Sequence, residues 1–268
     1  MTLAQPPFRS ASTASAVNTR SLTLPMPADV LVGDLLVMAF AYESPVANGP
    51  GDNWFQGSVA AFMAWLASIG WHSGGSFAGS GGDALMKFWK LAGASEPSVV
   101  FELGATQLRG VMLGAVGCWK GNQFAVPWAV GDVVQKSTLT AAGTMTSQAN
   151  TSADTLVVGM GVWTADNDAT ERAFSSSPVL TEVALVRAAY GATNMALWMG
   201  ERYDSDATGT QTLTMSGGTY SNVVKGLFVD PTTGCLEPPP QVTGENIKLV
   251  APRVAVRALP YDLRNIRL

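Results

Sequence analysis

Two segments of this chain follow one pattern: GDLLVMAFAYE at residues 33–43 and ADTLVVGMGVWTAD at residues 153–166. Each sets an aspartate ahead of a Leu- and Val-rich run of strand length. The likeness continues downstream, where FWKLAGASEPSVVFEL (88–103) and LWMGERYDSDATGTQTLTM (197–215) each join an aromatic strand through a polar turn to a Val- or Thr-rich strand. Strand-like segments fall at 21–26, 34–42, 83–92, 98–103 and 109–119, and again at 154–163, 179–189, 194–203, 210–215 and 222–230. A repeat of this kind does not bury its apolar face alone, so the two units are expected to share one core.

The expected fold class is all-β. An antiparallel two-sheet β-sandwich of eight to ten strands, jelly-roll-like, would be built from two diverged repeats at about 20–120 and 145–230 within one domain, 20–230. Twenty-eight glycines suit the many turns this requires. A short inserted helix is the exception: between Asp52 and Ile69 the residues Trp54, Phe55, Val59, Phe62, Met63, Leu66 and Ile69 follow helical spacing. The glycine-rich WHSGGSFAGSGGD that follows reads as a loop. Residues 1–19 form an N-terminal segment, 231–246 a linker containing Pro231 and Pro238, Pro239 and Pro240, and 247–268 a C-terminal arm. Polyproline stiffens such a linker into an extended spacer.

Only 13% of residues are charged, about half the share of an ordinary soluble domain. Too few charges remain to cover a free surface, so the chain either meets partners or enters a membrane. The longest weakly polar run, Gly57–Trp71, falls short of the roughly 20 residues a bilayer span needs, which argues against membrane insertion. From Glu245 onward five basic and two acidic residues give +3, and the whole chain carries −4, so the remainder carries −7. Opposite signs favour docking of one subunit's arm on another. Val254, Val256 and Ala258 alternate with Arg253, Ala255 and Arg257, a strand pattern suited to addition at a sheet edge. The partner-binding candidates are Leu249, Val250, Arg253, Val254, Val256, Arg257, Leu259, Pro260, Tyr261, Arg264, Ile266, Arg267 and Leu268.

Chemistry-bearing groups are sparse. His72 is the single histidine, so a two-histidine metal site is excluded and a Ser-His-Asp triad would depend on that residue; an exposed loop histidine is the simpler reading. No phosphate-cradling GxxxxGK[ST] or strand-linked GxGxxG is present. Asp166, Asp168 and Glu171, and Asp204 and Asp206, could offer oxygen ligands, yet no calcium loop with a terminal glutamate follows, and solvated turns explain them. Cys118 and Cys235 lack metal spacing and read as a buried thiol and a loop thiol. No catalytic residue, metal or cofactor is expected, and an acidic body disfavours nucleic acid. The eight tryptophans suit burial in strands or an interface, whereas a carbohydrate-binding module would expose several on one face. Trp54, Trp65, Trp71 and His72 are the candidates for that second use. The N-terminus shows no charged and apolar leader, so export is not expected.

SLTLPMPADVLVGDLLVMAFAYE, the later GW, FWKLAGASEPSVVFEL and GVMLGAVGCWKG together resemble the β-sandwich structural proteins of tailed-bacteriophage virions, over residues 20–230. GDLLV, AGASEPS and ADTLVV are the sharpest parts. RALPYDLRNIRL also resembles the short tails of small phage structural proteins, although Leu-Arg-Asn stands where a shorter Arg-Thr link is usual. The resemblance implies a virion component assembled in the host cytoplasm and no catalytic residues. A non-enzymatic capsid decoration or cement protein is therefore expected, with major capsid or tail proteins as partners and a homo-oligomer, a trimer among the arrangements. A tail- or fibre-associated protein and a carbohydrate-binding module that takes a glycan are the alternatives. A glycoside hydrolase or esterase has least to support it.

Overall fold

Strands whose two faces are both covered have no reason to alternate, and the two longest apolar runs of the first repeat become such strands. The structure, a computed structural model, describes residues 8–43, 59–78, 83–103, 110–120, 133–134, 142–149, 155–166, 173–177, 179–191, 193–204, 210–216 and 224–229. The linker 231–246 and the arm 247–268, with all of its partner-binding candidates, lie outside the described residues.

The first repeat runs β1 (Phe8–Thr19), β2 (Ser21–Leu24), β3 (Leu35–Glu43), α1 (Val59–Ser68), β4 (His72–Ala78), β5 (Asp83–Leu91), β6 (Val99–Glu102) and β7 (Gly110–Trp119). The second runs β8 (Val133–Val134), β9 (Ala142–Ala149), β10 (Thr155–Asp166), β11 (Ala173–Ser177), β12 (Thr181–Tyr190), β13 (Thr193–Asp204), β14 (Thr210–Ser216) and β15 (Val224–Val229). The described strand pairings are antiparallel and the fold is all-β.

One sheet has the order β1-β7-β3-β5-β4 and another the order β8-β15-β10-β13-β12, so the repeats wire their large sheets identically. The smaller sheets correspond as well, β2-β6 in the first repeat and β9-β14, extended by β11, in the second. Four sheets are thus described where the sequence pattern suggested two. The matching wiring also begins before the expected repeat boundaries of 20 and 145, at β1 and β8.

Every residue of β3 and of β7 is buried. Leu35, Val37, Ala39 and Ala41 share a cluster with Leu156, Val158, Met160 and Val162 of β10 and with Met195, Leu197 and Met199 of β13. The opposite face of β3, Leu36, Met38, Phe40 and Tyr42, joins Leu22 and Leu24 of β2, Phe101 of β6 and Phe62 and Leu66 of α1. Burying apolar area at about 25 cal/mol per Å² on both faces of one sheet is the main stabilising term for a chain so poor in charge.

This packing corrects the alignment of the repeats. Matching Asp34 with Asp154 sets Leu36 against Leu156, yet Leu36 faces the small sheet of its own repeat while Leu156 faces the other repeat. A shift of one residue, pairing Leu35 with Leu156, restores equivalent faces. In a strand of period two, one residue of slip exchanges the faces completely.

Two further expectations change. Residues 8–19, set apart as an N-terminal segment, form edge strand β1 in register with the whole of β7. HSGGSFA, expected as a loop, is strand β4 along β5, which places His72 opposite Trp89. The inserted helix is present as Val59–Ser68, shorter than the span from Asp52; residues 52–58 lie outside the described residues.

Candidate functional site

Much of the polar bonding of the described residues lies at one end of the first large sheet, where β3 begins and β5 and β7 finish; the buried Lys87 and Glu43 lie farther along the same sheet. Leu35 is paired there with Leu91 on one side and with Trp119 on the other. Gly33, at φ +84°, a conformation glycine adopts without strain, donates its N–H to Ala92 O at 2.8 Å, and Ala92 N–H returns a bond to Asp34 O at 2.7 Å. Two of the motifs singled out in the sequence, GDLLV and AGASEPS, therefore touch through their backbones.

Asp34 closes the turn before β3 by accepting the Leu31 N–H at 2.8 Å, and it pairs with Arg9 of β1 at 2.7 Å. The Cys118 thiol donates to the same carboxylate at 3.6 Å. Burial first, then the adjacent Asp34 charge, pushes this thiol up to about 12, so it stays protonated and is not a nucleophile. It is the buried thiol anticipated from the sequence.

Glu96 accepts the Gly93 N–H at 2.6 Å and pairs with Lys90 at 2.8 Å. Lys90 also donates to Ile69 O at 2.8 Å and lies 5.7 Å from the centre of the Trp71 ring. That carbonyl belongs to the end of α1, which closes in a Schellman motif: Gly70, at φ +86°, donates to Ala67 O and Trp71 donates to Leu66 O, each at 3.0 Å. The GW pair of the sequence is thus the residue that turns the helix and the ring that enters the core.

Between the repeats, Trp119 Nε1 donates to the Glu201 carboxylate of β13. Gly117 leaves the space that the indole occupies, for a Cβ there would lie 2.3 Å from the Trp119 ring and 3.2 Å from Met199 Sδ. Phe8 meets the same ring edge-on at 5.8 Å. Burial raises the Glu201 carboxyl above its ordinary 4.5, against the opposing pull of the indole N–H. Because the folded form holds the proton more tightly than the unfolded chain, the contribution of Glu201 to stability is fully present below its unfolded value and is lost as pH rises through the folded one. Glu201→Gln, which keeps an oxygen acceptor for Trp119, should flatten that decline; urea midpoints of both proteins from pH 4 to 8 measure it, and parallel curves would contradict it.

Among the described residues, the aromatic candidates for a glycan do not form one exposed face. Trp71 is buried at 3% exposure and Trp65 is 40% exposed on α1, while Trp54 lies outside the described residues. His72 is exposed as expected and stacks on Trp89 at 4.3 Å, on the sheet face opposite Trp71 and Lys90. Nor are the acidic groups brought together: Asp166 pairs with Thr193 and Asp204 with Thr155, at opposite ends of the β10–β13 ladder, about 36 Å apart. Asp168, Glu171 and Asp206 lie outside the described residues. Among the described residues no group of three or more His, Cys, Asp or Glu could hold a metal ion, and no helix is long and apolar enough to cross a membrane.

No protein-family model, curated protein or solved structure matches this chain.

Proposed function

We propose that the chain is a non-enzymatic structural protein of a tailed-bacteriophage virion, a capsid decoration or cement subunit whose C-terminal arm docks on neighbouring subunits. The observation that carries this reading is the employment of the polar side chains at the candidate site. Arg9, Asp34, Lys90, Glu96, Trp119 and Glu201 are each bonded across sheets or turns, where they fasten the body. A body held in this way suits a mechanical task.

The strand order supports the finer architecture. In each repeat the first strand pairs with the last and the second with the last but one, the nested pairing of a jelly roll, and we read each repeat as a small sandwich stacked on the other. Identical wiring of the two halves gives one subunit two similar outer surfaces for a symmetric lattice, where many weak contacts act together. The scarcity of charge, 13% of residues, fits a surface largely given to protein partners.

The test is binding to particles purified from the same phage. The full chain should saturate the particle at a fixed copy number, and a chain ending at residue 244 should bind at least about 100-fold more weakly. Equal occupancy by the truncated chain would refute arm docking, and absence of the full chain from purified particles would refute the virion role. Labelling confined to the tail would select the tail- or fibre-associated alternative.

A further inference from the structure

Of the seven large apolar side chains exposed among the described residues, four lie at one end of the body, and Val17, Trp65 and Val100 lie elsewhere. Leu31 is 55% exposed, Val32 68%, Leu91 42% and Val179 77%. The register places all four at the end where β3 begins. Leu31 and Val32 form the turn that Asp34 closes, and Leu91 lies opposite Leu35. Leu35 is also paired with Trp119, which bonds Glu201, and Glu201 is paired with Thr181, two residues beyond Val179. The turns are pinned: Leu31 N–H to Asp34, Gly33 to Ala92 and Leu180 N–H to Ser176 Oγ at 2.7 Å. Apolar groups held in fixed positions at a surface are characteristic of interaction sites.

The last described strand finishes at this same end, since Val229 pairs with Leu156 and Leu227 with Val158, the residue opposite Glu201. Thirty-nine residues follow Val229. The sixteen of the linker, 231–246, would span about 50 Å at the polyproline II rise, enough to carry the arm to an adjacent subunit. The arm alternates apolar and basic residues, and the receiving end displays the exposed carboxylates Asp29 and Glu182 together with one exposed cation, Lys120, which leaves two negative charges against one positive.

We infer that the end of the body bearing Leu31, Val32, Leu91 and Val179 receives the C-terminal arm, residues 247–268, of a second copy of the chain. The apolar row of Val254, Val256 and Ala258 covers those side chains, and the arm's net positive charge is drawn to the end that carries Asp29 and Glu182. This rests on the arm-docking reading above and adds where on the body the arm lands.

Two full-length proteins, each with one accessible cysteine, decide the matter, one carrying Val32→Cys and the other Val256→Cys, both with Cys235→Ser; Cys118 is buried. A control replaces Val32→Cys with Val17→Cys, an exposed site at the far end of the same sheet, where Val17 pairs with Val111. The proteins are mixed, treated with a bismaleimide, and weighed by sedimentation in parallel. The expected result is a cross-linked pair at least about tenfold more abundant from Val32→Cys than from Val17→Cys, because docking raises the local concentration of one thiol about the other. Association without preferential cross-linking at Val32 overturns the inference and leaves arm docking standing. A chain that stays monomeric at every concentration overturns both.

Discussion

Trp119→Ala should destabilise the protein by about 5 kcal/mol, because truncation of a buried tryptophan leaves a cavity and the buried carboxyl of Glu201 loses its donor. The ring is fully buried, Phe8 packs on its edge and Gly117 lies beneath it, so little can move in to fill the space. Trp119→Phe weights the two contributions differently, since it keeps most of the volume but loses the whole N–H donor; a loss of about 1–3 kcal/mol is expected from it. Denaturant unfolding measures both. A loss below about 1 kcal/mol for Trp119→Ala would mean that the seam between the repeats contributes little to stability.

Phe40→Ala should be nearly as severe, at about 3–5 kcal/mol, by a different route. Phe40 is fully buried on the face of β3 that meets the small sheet, and its ring stacks on Phe101 of β6 at 4.1 Å and an interplanar angle of 9°. Its loss removes one of the main contacts that fasten β6, and through it β2, to the large sheet. Amide hydrogen exchange should therefore quicken in β2 and β6 before it quickens in β10 and β13. Val100→Ala, at a neighbouring site on β6 that is 38% exposed, provides the comparison and should change stability by less than about 0.5 kcal/mol. Equal effects at the two sites would contradict the assignment of Phe40 to this core.

The strands that the sequence revealed are those whose burial writes itself as uninterrupted apolar letters, β3 and β7 above all. Strand β1 escaped because its residues are small and polar. Its serines have a task that composition does not show: Ser10 and Ser12 donate to Ala28 O and Pro25 O and so hold the turn ahead of β3 against the edge. Strand β4 escaped for its glycines, which read as loop yet are tolerated along a sheet edge.

The repeat was visible, whereas its face assignment was not, because aligned aspartates set the count and only packing sets the side. For the site, local motifs were the legible part: Gly33 with Asp34, Gly70 with Trp71 and Gly93 with Glu96 each act within a few residues. The pairs that join distant strands left no trace in spacing. Trp119 and Glu201 are 82 positions apart, and Arg9 lies on β1 while Asp34 precedes β3, two strands that meet only through β7.

Association through the C-terminal arm is tested most directly by sedimentation equilibrium of the full chain beside a chain ending at residue 244, which keeps every described strand. The account predicts that the full chain associates reversibly, and that the shorter one is monomeric with an unchanged urea midpoint. Two proteins that are both monomeric across the same concentrations would contradict it.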